Sequence, residues 1–145
     1  MTQVSQPHIA FFGECMIELS GEPLRKGFGG DTLNTALYLA RLTAQAGLSV
    51  SYATGLGEDK LSQQLLSAWQ QEGIHTHLVE CFANKLPGLY MVETDATGER
   101  SFMYWRDSAA VKGYFATESA NKLEQAMMRE AVSYTHLTLP TIAVV

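Results

Sequence analysis

An α/β fold, with a parallel sheet covered by helices, is what this 145-residue sequence predicts. Three observations predict it. Short apolar runs suited to buried strands alternate with helical periodicity in the order β, α, β, α, β from Ile9 to Leu78. Glycines and capping aspartates punctuate that alternation at Gly27–Asp31, at Gly55–Asp59 and at Gly73. Hydrophobic residues make up 46% and charged residues 17%, against roughly 25% charged in an average soluble domain. That balance excludes a disordered tail, a collagen-like repeat and a charge-rich coiled coil. The length is that of one ordinary domain, which buries about two-thirds of its unfolded surface.

The elements follow in order. Ile9–Phe12 is a short apolar run ending at Gly13 and reads as a buried first strand, which Met16, Ile17 and Leu19 continue after a bend. Gly21–Gly30 reads as a loop, since it carries Gly21, Pro23, Gly27, Gly29 and Gly30. Leu33, Ala36, Leu37, Ala40 and Ala44 then recur at helical spacing, with Asp31 as N-cap and an end near Gly47. Leu48–Thr54 is a second strand, broken by Gly55-Leu-Gly57. Asp59 caps a helix whose apolar face is Leu61, Leu65, Ala68 and Trp69 and which stops at Gly73. Ile74–Leu78 alternates as a third strand.

The next segment changes rhythm. Leu89–Thr94 and Arg100–Arg106 alternate with period two around Asp95-Ala-Thr-Gly98. Asp followed three residues later by Gly fits a type I turn closed by a G1 bulge, with Gly98 at positive φ. That loop pairs Asp95 with Glu99, hence Tyr90 with Tyr104, and puts Tyr90, Phe102, Tyr104 and Arg106 on one face; an even-length loop would separate the two tyrosines. An amphipathic helix follows over about Glu118–Glu130, with Leu123, Ala126 and Met127 inward.

Ten Lys+Arg against fifteen Asp+Glu give a net charge of −5 with no basic cluster, which argues against a nucleic-acid module. Cys15 and Cys81 stand far apart with no CxxC, suiting a reducing compartment, and both read as inert core or near-core residues. Met1–Gln6 lacks the basic and apolar regions of a signal peptide, and no apolar stretch approaches the ~18 residues that cross a bilayer. A cytoplasmic protein without membrane partners is expected.

Gly27-Phe-Gly29-Gly30-Asp31-Thr-Leu-Asn34 is the most informative segment. A helix N-terminus offers free N–H groups and partial positive charge, and adjacent glycines let a ligand approach them. No Gly-Lys-Ser/Thr follows, so it is not a P-loop, and Thr32 stands where the dinucleotide fingerprint needs its third glycine. Spacing alone leaves a binding site and an ordinary loop with a polar first turn equally open. Tyr90, Tyr104 and Arg106 bring two phenols and a guanidinium to one hairpin face, suited to hydroxyls and a carboxylate or phosphate; a cross-strand aromatic pair beside a surface Arg has the same pattern. Glu14 and Glu18 flank the end of the first strand, where α/β folds place ligands, or are simply solvated. His75 and His77 share a strand face but lack a third metal ligand at readable spacing, and they read as solvated positions.

Four segments together resemble the ribokinase-like (PfkB) carbohydrate kinases: Gly13-Glu-Cys-Met-Ile-Glu18; Gly29-Gly-Asp-Thr-Leu-Asn34 with Thr35–Arg41; Gly55-Leu-Gly-Glu-Asp59; and Leu86-Pro-Gly-Leu-Tyr90 leading through Thr97–Arg100 to Tyr104-Trp-Arg106. The last points to the branch acting on keto-sugar acids such as 2-keto-3-deoxygluconate. The resemblance covers about Ile9–Glu130 and implies a ribokinase-like, Rossmann-type parallel sheet with a small β lid hairpin over about 86–107. It implies that Gly30 and Asn34 bind sugar hydroxyls, that Tyr90 and Tyr104 line the lid side, and that Arg106 holds the substrate carboxylate. It implies ATP and Mg²⁺ in the intact enzyme, neither bound tightly by this chain, and a small sugar acid as partner. Family members run about twice this length and carry a Gly-Ala-Gly-Asp motif, with the catalytic Asp, in their second half. No such motif occurs here. Residues 1–130 therefore read as the N-terminal substrate-binding part of a truncated member with no catalytic residue of its own. Residues 131–145 read as an atypical, non-native tail, since Ser133–Pro140 replaces the expected next strand. A lid hairpin left with an open edge can pair with a second copy into a homodimer. The competing reading is a non-catalytic module that binds the sugar acid or another protein.

Overall fold

The structure, a computed structural model, describes residues 7–116, 118–127 and 131–134. In chain order these form β1 (His8–Phe12), β2 (Met16–Ser20), β3 (Arg25–Gly29), α1 (Asp31–Thr43), β4 (Ser49–Gly57), α2 (Lys60–Gln71), β5 (Ile74–His75), β6 (Val79–Phe82), β7 (Gly88–Thr94), β8 (Arg100–Trp105), a 3₁₀ helix (Ala110–Ala116), α3 (Ser119–Met127) and β9 (Ala131–Tyr134). The main sheet runs β5-β4-β1-β9 with β6 on the far end of β4, and every pair in it is parallel. A second sheet runs β3-β2-β7-β8, with β2 and β7 parallel and its outer pairs antiparallel.

Alternation along the buried strands assigns the two faces of the main sheet. Phe11 and Tyr52 turn towards α1 and α2, meeting Leu33, Ala36, Leu65 and Trp69. Ala10 and Ala53 turn the other way, to Tyr114 of the 3₁₀ helix and Leu123 of α3. Tyr52 and Trp69, both fully buried, meet edge to face with ring centres 5.2 Å apart, a favoured aromatic geometry. Burying both faces is what a parallel sheet requires.

Several boundaries differ from the sequence reading. The expected Gly21–Gly30 loop contains β3, which pairs with β2 along its whole length. Its Arg-Lys-Gly-Phe-Gly sequence lacks apolar alternation, so backbone pairing alone makes it a strand. The lid is accordingly a four-stranded sheet rather than a hairpin. Gly30, not Asp31, is the N-cap of α1 and supplies no side-chain cap; Asp31 is the first helical residue, where a negative charge complements the helix dipole. The helix ends at Thr43, short of Gly47.

Gly55-Leu-Gly57 does not break the second strand but completes β4. A Cβ on Gly55 would lie 2.7 Å from the Ala110 carbonyl oxygen, so this glycine marks close backbone approach. Of the third strand only Ile74 and His75 pair with β4; the chain turns, with the Val79 amide donating to the Thr76 carbonyl, and resumes as β6. His75 and His77 therefore do not share a strand face. The last helix spans Ser119–Met127, and Met128–Glu130 lie outside the described residues. Ala131–Tyr134, where no further strand is expected, ladders onto β1; residues 135–145 lie outside the described residues.

Asp59 caps α2 as its position suggests. Oδ1 accepts from the amides of Leu61 (2.8 Å) and Ser62 (3.1 Å), and Oδ2 accepts from the Ser62 hydroxyl (2.6 Å). Partial burial acts to raise the Asp59 pKa, but the bonds from Ser62 and Leu61 outweigh it and hold the carboxyl below its ordinary value. The cap's contribution is thus complete above the ordinary carboxylate range and is lost as pH falls through the lowered pKa. Asp59→Ala is expected to cost about 1 kcal/mol in a denaturant melt at pH 7, and the difference from wild type should shrink below pH 4. An undiminished difference in acid would contradict the assignment.

Candidate functional site

The carboxyl end of β1 is pressed against the amino end of α1. A Cβ on Gly13 would collide with the Thr32 side chain, and one on Gly30, whose φ is +157°, with the Glu14 carbonyl oxygen. Only glycine at both positions lets these backbones meet. The Thr32 hydroxyl and the buried Tyr52 hydroxyl lie 2.9 Å apart and tie the first turn of α1 to the sheet. Asn34 donates its amide to the Gly30 carbonyl at 2.8 Å. Its side chain is exposed and makes no hydrogen bond to the described residues.

The lid sheet supplies the other wall. Its register aligns Glu18 with Tyr90 and Tyr90 with Tyr104, and sets Gly27 and Gly29 beside Glu18 and Met16. Paired residues share a face, so one face carries a carboxylate and two phenols next to a glycine-lined strand. The Tyr90 hydroxyl donates to Glu18 Oε2, and the Ser20 hydroxyl donates to Glu18 Oε1 at 3.0 Å. A Cβ on Gly29 would sit 2.6 Å from the Tyr90 oxygen, so this glycine makes room for the phenol. Burial, and then the Glu18 carboxylate, push the Tyr90 pKa well above the usual phenol range. At neutral pH it is a hydrogen-bond donor. The rings of Tyr90 and Tyr104 are 6.0 Å apart, and Phe102 flanks both.

The turn performs as its sequence implies. The Asp95 amide donates to the Glu99 carbonyl, the Gly98 amide donates to the Asp95 carbonyl, and Gly98 has φ +87°. Arg106 lies one residue beyond β8, and its Nη2 meets Glu14 Oε2 at 2.5 Å. The Arg106 side chain is 47% exposed and that of Glu14 12%. Burial raises the Glu14 pKa against the opposing pull of Arg106 and Lys112.

Arg106 meets Glu14, whose carbonyl lies against Gly30; Tyr90 meets Glu18 and packs beside Tyr104; Asn34 shares the first turn of α1 with Gly30. Glu14 and Glu18, which sequence reasoning left open between a ligand site and simple solvation, contact Arg106 and Tyr90 respectively. The signal for Glu18 was the parallel pairing of β2 with β7, which no local pattern announces. His75 and His77 are exposed, with ring centres 6.4 Å apart and His8 5.7 Å and 6.0 Å from them. Among the described residues no group of three His, Cys, Asp or Glu side chains is arranged to hold a metal ion. Cys15 is buried as expected, whereas Cys81 is exposed, because β6 leaves its alternate positions uncovered.

Residues 6–138 match the family described as pfkB family carbohydrate kinase. The chain belongs to that family. It is 51% identical over 120 residues to the 2-dehydro-3-deoxygluconokinase of Dickeya dadantii (strain 3937), a match covering 81% of this chain and 39% of that protein. It is 48% identical over 137 residues to the enzyme of the same name from Escherichia coli (strain K12), covering 93% of this chain and 43% of that one. Among solved structures, the fructokinase of Xylella fastidiosa superimposes with a TM-score of 0.71 at 23% identity, over 93% of this chain and 51% of its own. The 2-dehydro-3-deoxygluconokinase of Thermotoga maritima does so with a TM-score of 0.67 at 19% identity, over 88% and 50%. These structures establish the ribokinase-like fold. This pfkB-family chain spans about two-fifths of the length of the curated relatives it matches.

Proposed function

We propose that this chain forms the substrate-binding part of an ATP-dependent sugar-acid kinase acting on 2-keto-3-deoxygluconate. The observation that carries the reading is the Arg106 side chain, half-exposed and on the same lid face as Tyr90 and Tyr104, beside the α1 N-terminus. A guanidinium forks a carboxylate. Phenols and the Asn34 amide serve hydroxyl groups, and the helix N-terminus favours partial negative charge. The names of the relatives support the same sugar acid.

Family membership implies ATP and Mg²⁺ in the intact enzyme. The sequence carries neither Gly-Ala-Gly-Asp nor Gly-Lys-Ser/Thr, and the described residues hold no metal cluster. Both groups are assigned to the intact enzyme, outside this chain's own residues. What this chain does is bind and orient the sugar acid.

A cytoplasmic location accords with this reading; no helix of the described residues is long and apolar enough to cross a membrane. A homodimer through the lid has its support in β8, an open edge on which Phe102, Met103, Tyr104 and Trp105 are all exposed. Open edges pair readily. Titration calorimetry of the 145-residue chain tests the central reading. Saturable binding of 2-keto-3-deoxygluconate, with weaker binding of its neutral carboxamide, is expected; equal binding of the two would remove the role of Arg106.

A further inference from the structure

The Glu14 side chain is only 12% exposed, and orientation of the sugar does not account for it. Its Oε2 meets Arg106 Nη2 at 2.5 Å, while its Oε1 is buried without a hydrogen-bond partner. A second, separate feature concerns the same pair. A Cβ on Gly88 would lie 2.5 Å from Glu14 Oε1 and 3.3 Å from Arg106 Cβ. Gly88 opens β7 directly opposite Met16, so the glycine of the Leu86-Pro-Gly-Leu-Tyr90 segment vacates the space the ion pair occupies. The Glu14 carbonyl oxygen lies so close to Gly30 that a Cβ there would collide with it.

We propose that Glu14 is a positioning residue for Arg106, that Gly88 makes room for the pair, and that together they confer the preference for an acid over a neutral sugar. This rests on the binding reading above. An arginine side chain is long and rotamer-rich, and much of that freedom must be given up when it grips a ligand. Glu14 removes it beforehand. Among the described residues Nη2 alone of the Arg106 nitrogens is committed, and a guanidinium has five N–H donors in a fixed fork. The remainder are available to a second carboxylate.

The alternative is that Glu14 is only a competitor. A carboxylate already on Arg106 repels an incoming one, and removing its charge would then strengthen binding of the acid. The two accounts predict opposite signs.

The test is calorimetric titration of the 145-residue chain with 2-keto-3-deoxygluconate and its neutral carboxamide, with near-ultraviolet circular dichroism recorded for each variant. Glu14→Gln is expected to weaken acid binding about tenfold, the scale of ordering one long side chain, and to leave the carboxamide unchanged. Gly88→Ala, which alters no charge, is expected to cause the same selective loss by displacing the carboxylate. In an Arg106→Ala background, Glu14→Gln should have no further effect. Acid binding that is unchanged or stronger in Glu14→Gln overturns the inference, as does an equal loss for acid and carboxamide, the mark of a merely structural role. A wild-type chain with no saturable response to the acid overturns the binding reading and this inference with it.

Discussion

The purified chain mixed with ATP, Mg²⁺ and 2-keto-3-deoxygluconate is expected to release no ADP above background. Phosphoryl transfer to a sugar hydroxyl needs the hydroxyl oriented, its proton accepted and the developing phosphate charge stabilised. In the proposed reading Gly30, Asn34, Tyr90, Tyr104 and Arg106 serve the first task. The carboxylates nearby do not serve the second: Glu14 is engaged by Arg106, and Glu18 accepts from Tyr90 and Ser20. Neither Gly-Ala-Gly-Asp nor Gly-Lys-Ser/Thr is present for the third. A missing general base alone costs roughly 10²–10⁴-fold, and losing an anion hole multiplies that by about 10²–10³. A coupled ADP-release assay decides the matter. Steady turnover near the ~10 s⁻¹ of an ordinary enzyme would place the base and anion hole within these 145 residues.

Arg106→Ala carries the largest expected effect on binding. Truncating one partner of a buried, hydrogen-bonded charge pair costs about 2–5 kcal/mol. Arg106 is 47% exposed before any ligand arrives, so solvent screening puts it at the lower end. The expectation is about 2 kcal/mol, or roughly a 30-fold weaker dissociation constant for the acid. Binding of the neutral carboxamide should change little. The substitution also strands Glu14, whose Oε1 already lacks a partner, so part of any fall in stability belongs to that carboxylate. Comparing acid with carboxamide in the same variant removes that contribution. A loss below threefold for the acid would mean that Arg106 is an ordinary surface residue.

Much of the fold was legible wherever side-chain period and chain geometry agree. Leu65 and Trp69 lie four residues apart on α2, and both are buried where helical spacing puts them. The hairpin register followed from Asp95 and Gly98 alone, because a type I turn with a G1 bulge admits one pairing. Legibility failed where backbone contacts decide. Arg25–Gly29 is a strand because β2 offers it a ladder, and Gly55 sits within a strand because the 3₁₀ helix crosses it closely. Both looked like loops, since glycine signals freedom in a sequence and close approach in a structure. The site divides the same way. Tyr90, Tyr104 and Arg106 share a face by period two, whereas the partners Glu14 and Glu18 depend on a parallel pairing between segments some seventy residues apart.

The most direct test of the proposed sugar-acid site is a ¹⁵N-edited NMR titration of the chain with 2-keto-3-deoxygluconate. The account predicts saturable shifts at the amides of Gly30 and Asn34 and at the Arg106 Nε–H, joined by Tyr90 and Tyr104. It predicts none at Gln70–His77, which lie at the opposite end of the main sheet beside a shallow depression of about 450 Å³. Shifts confined to that depression, or the absence of saturable shifts at Gly30, Asn34 and Arg106, would contradict it.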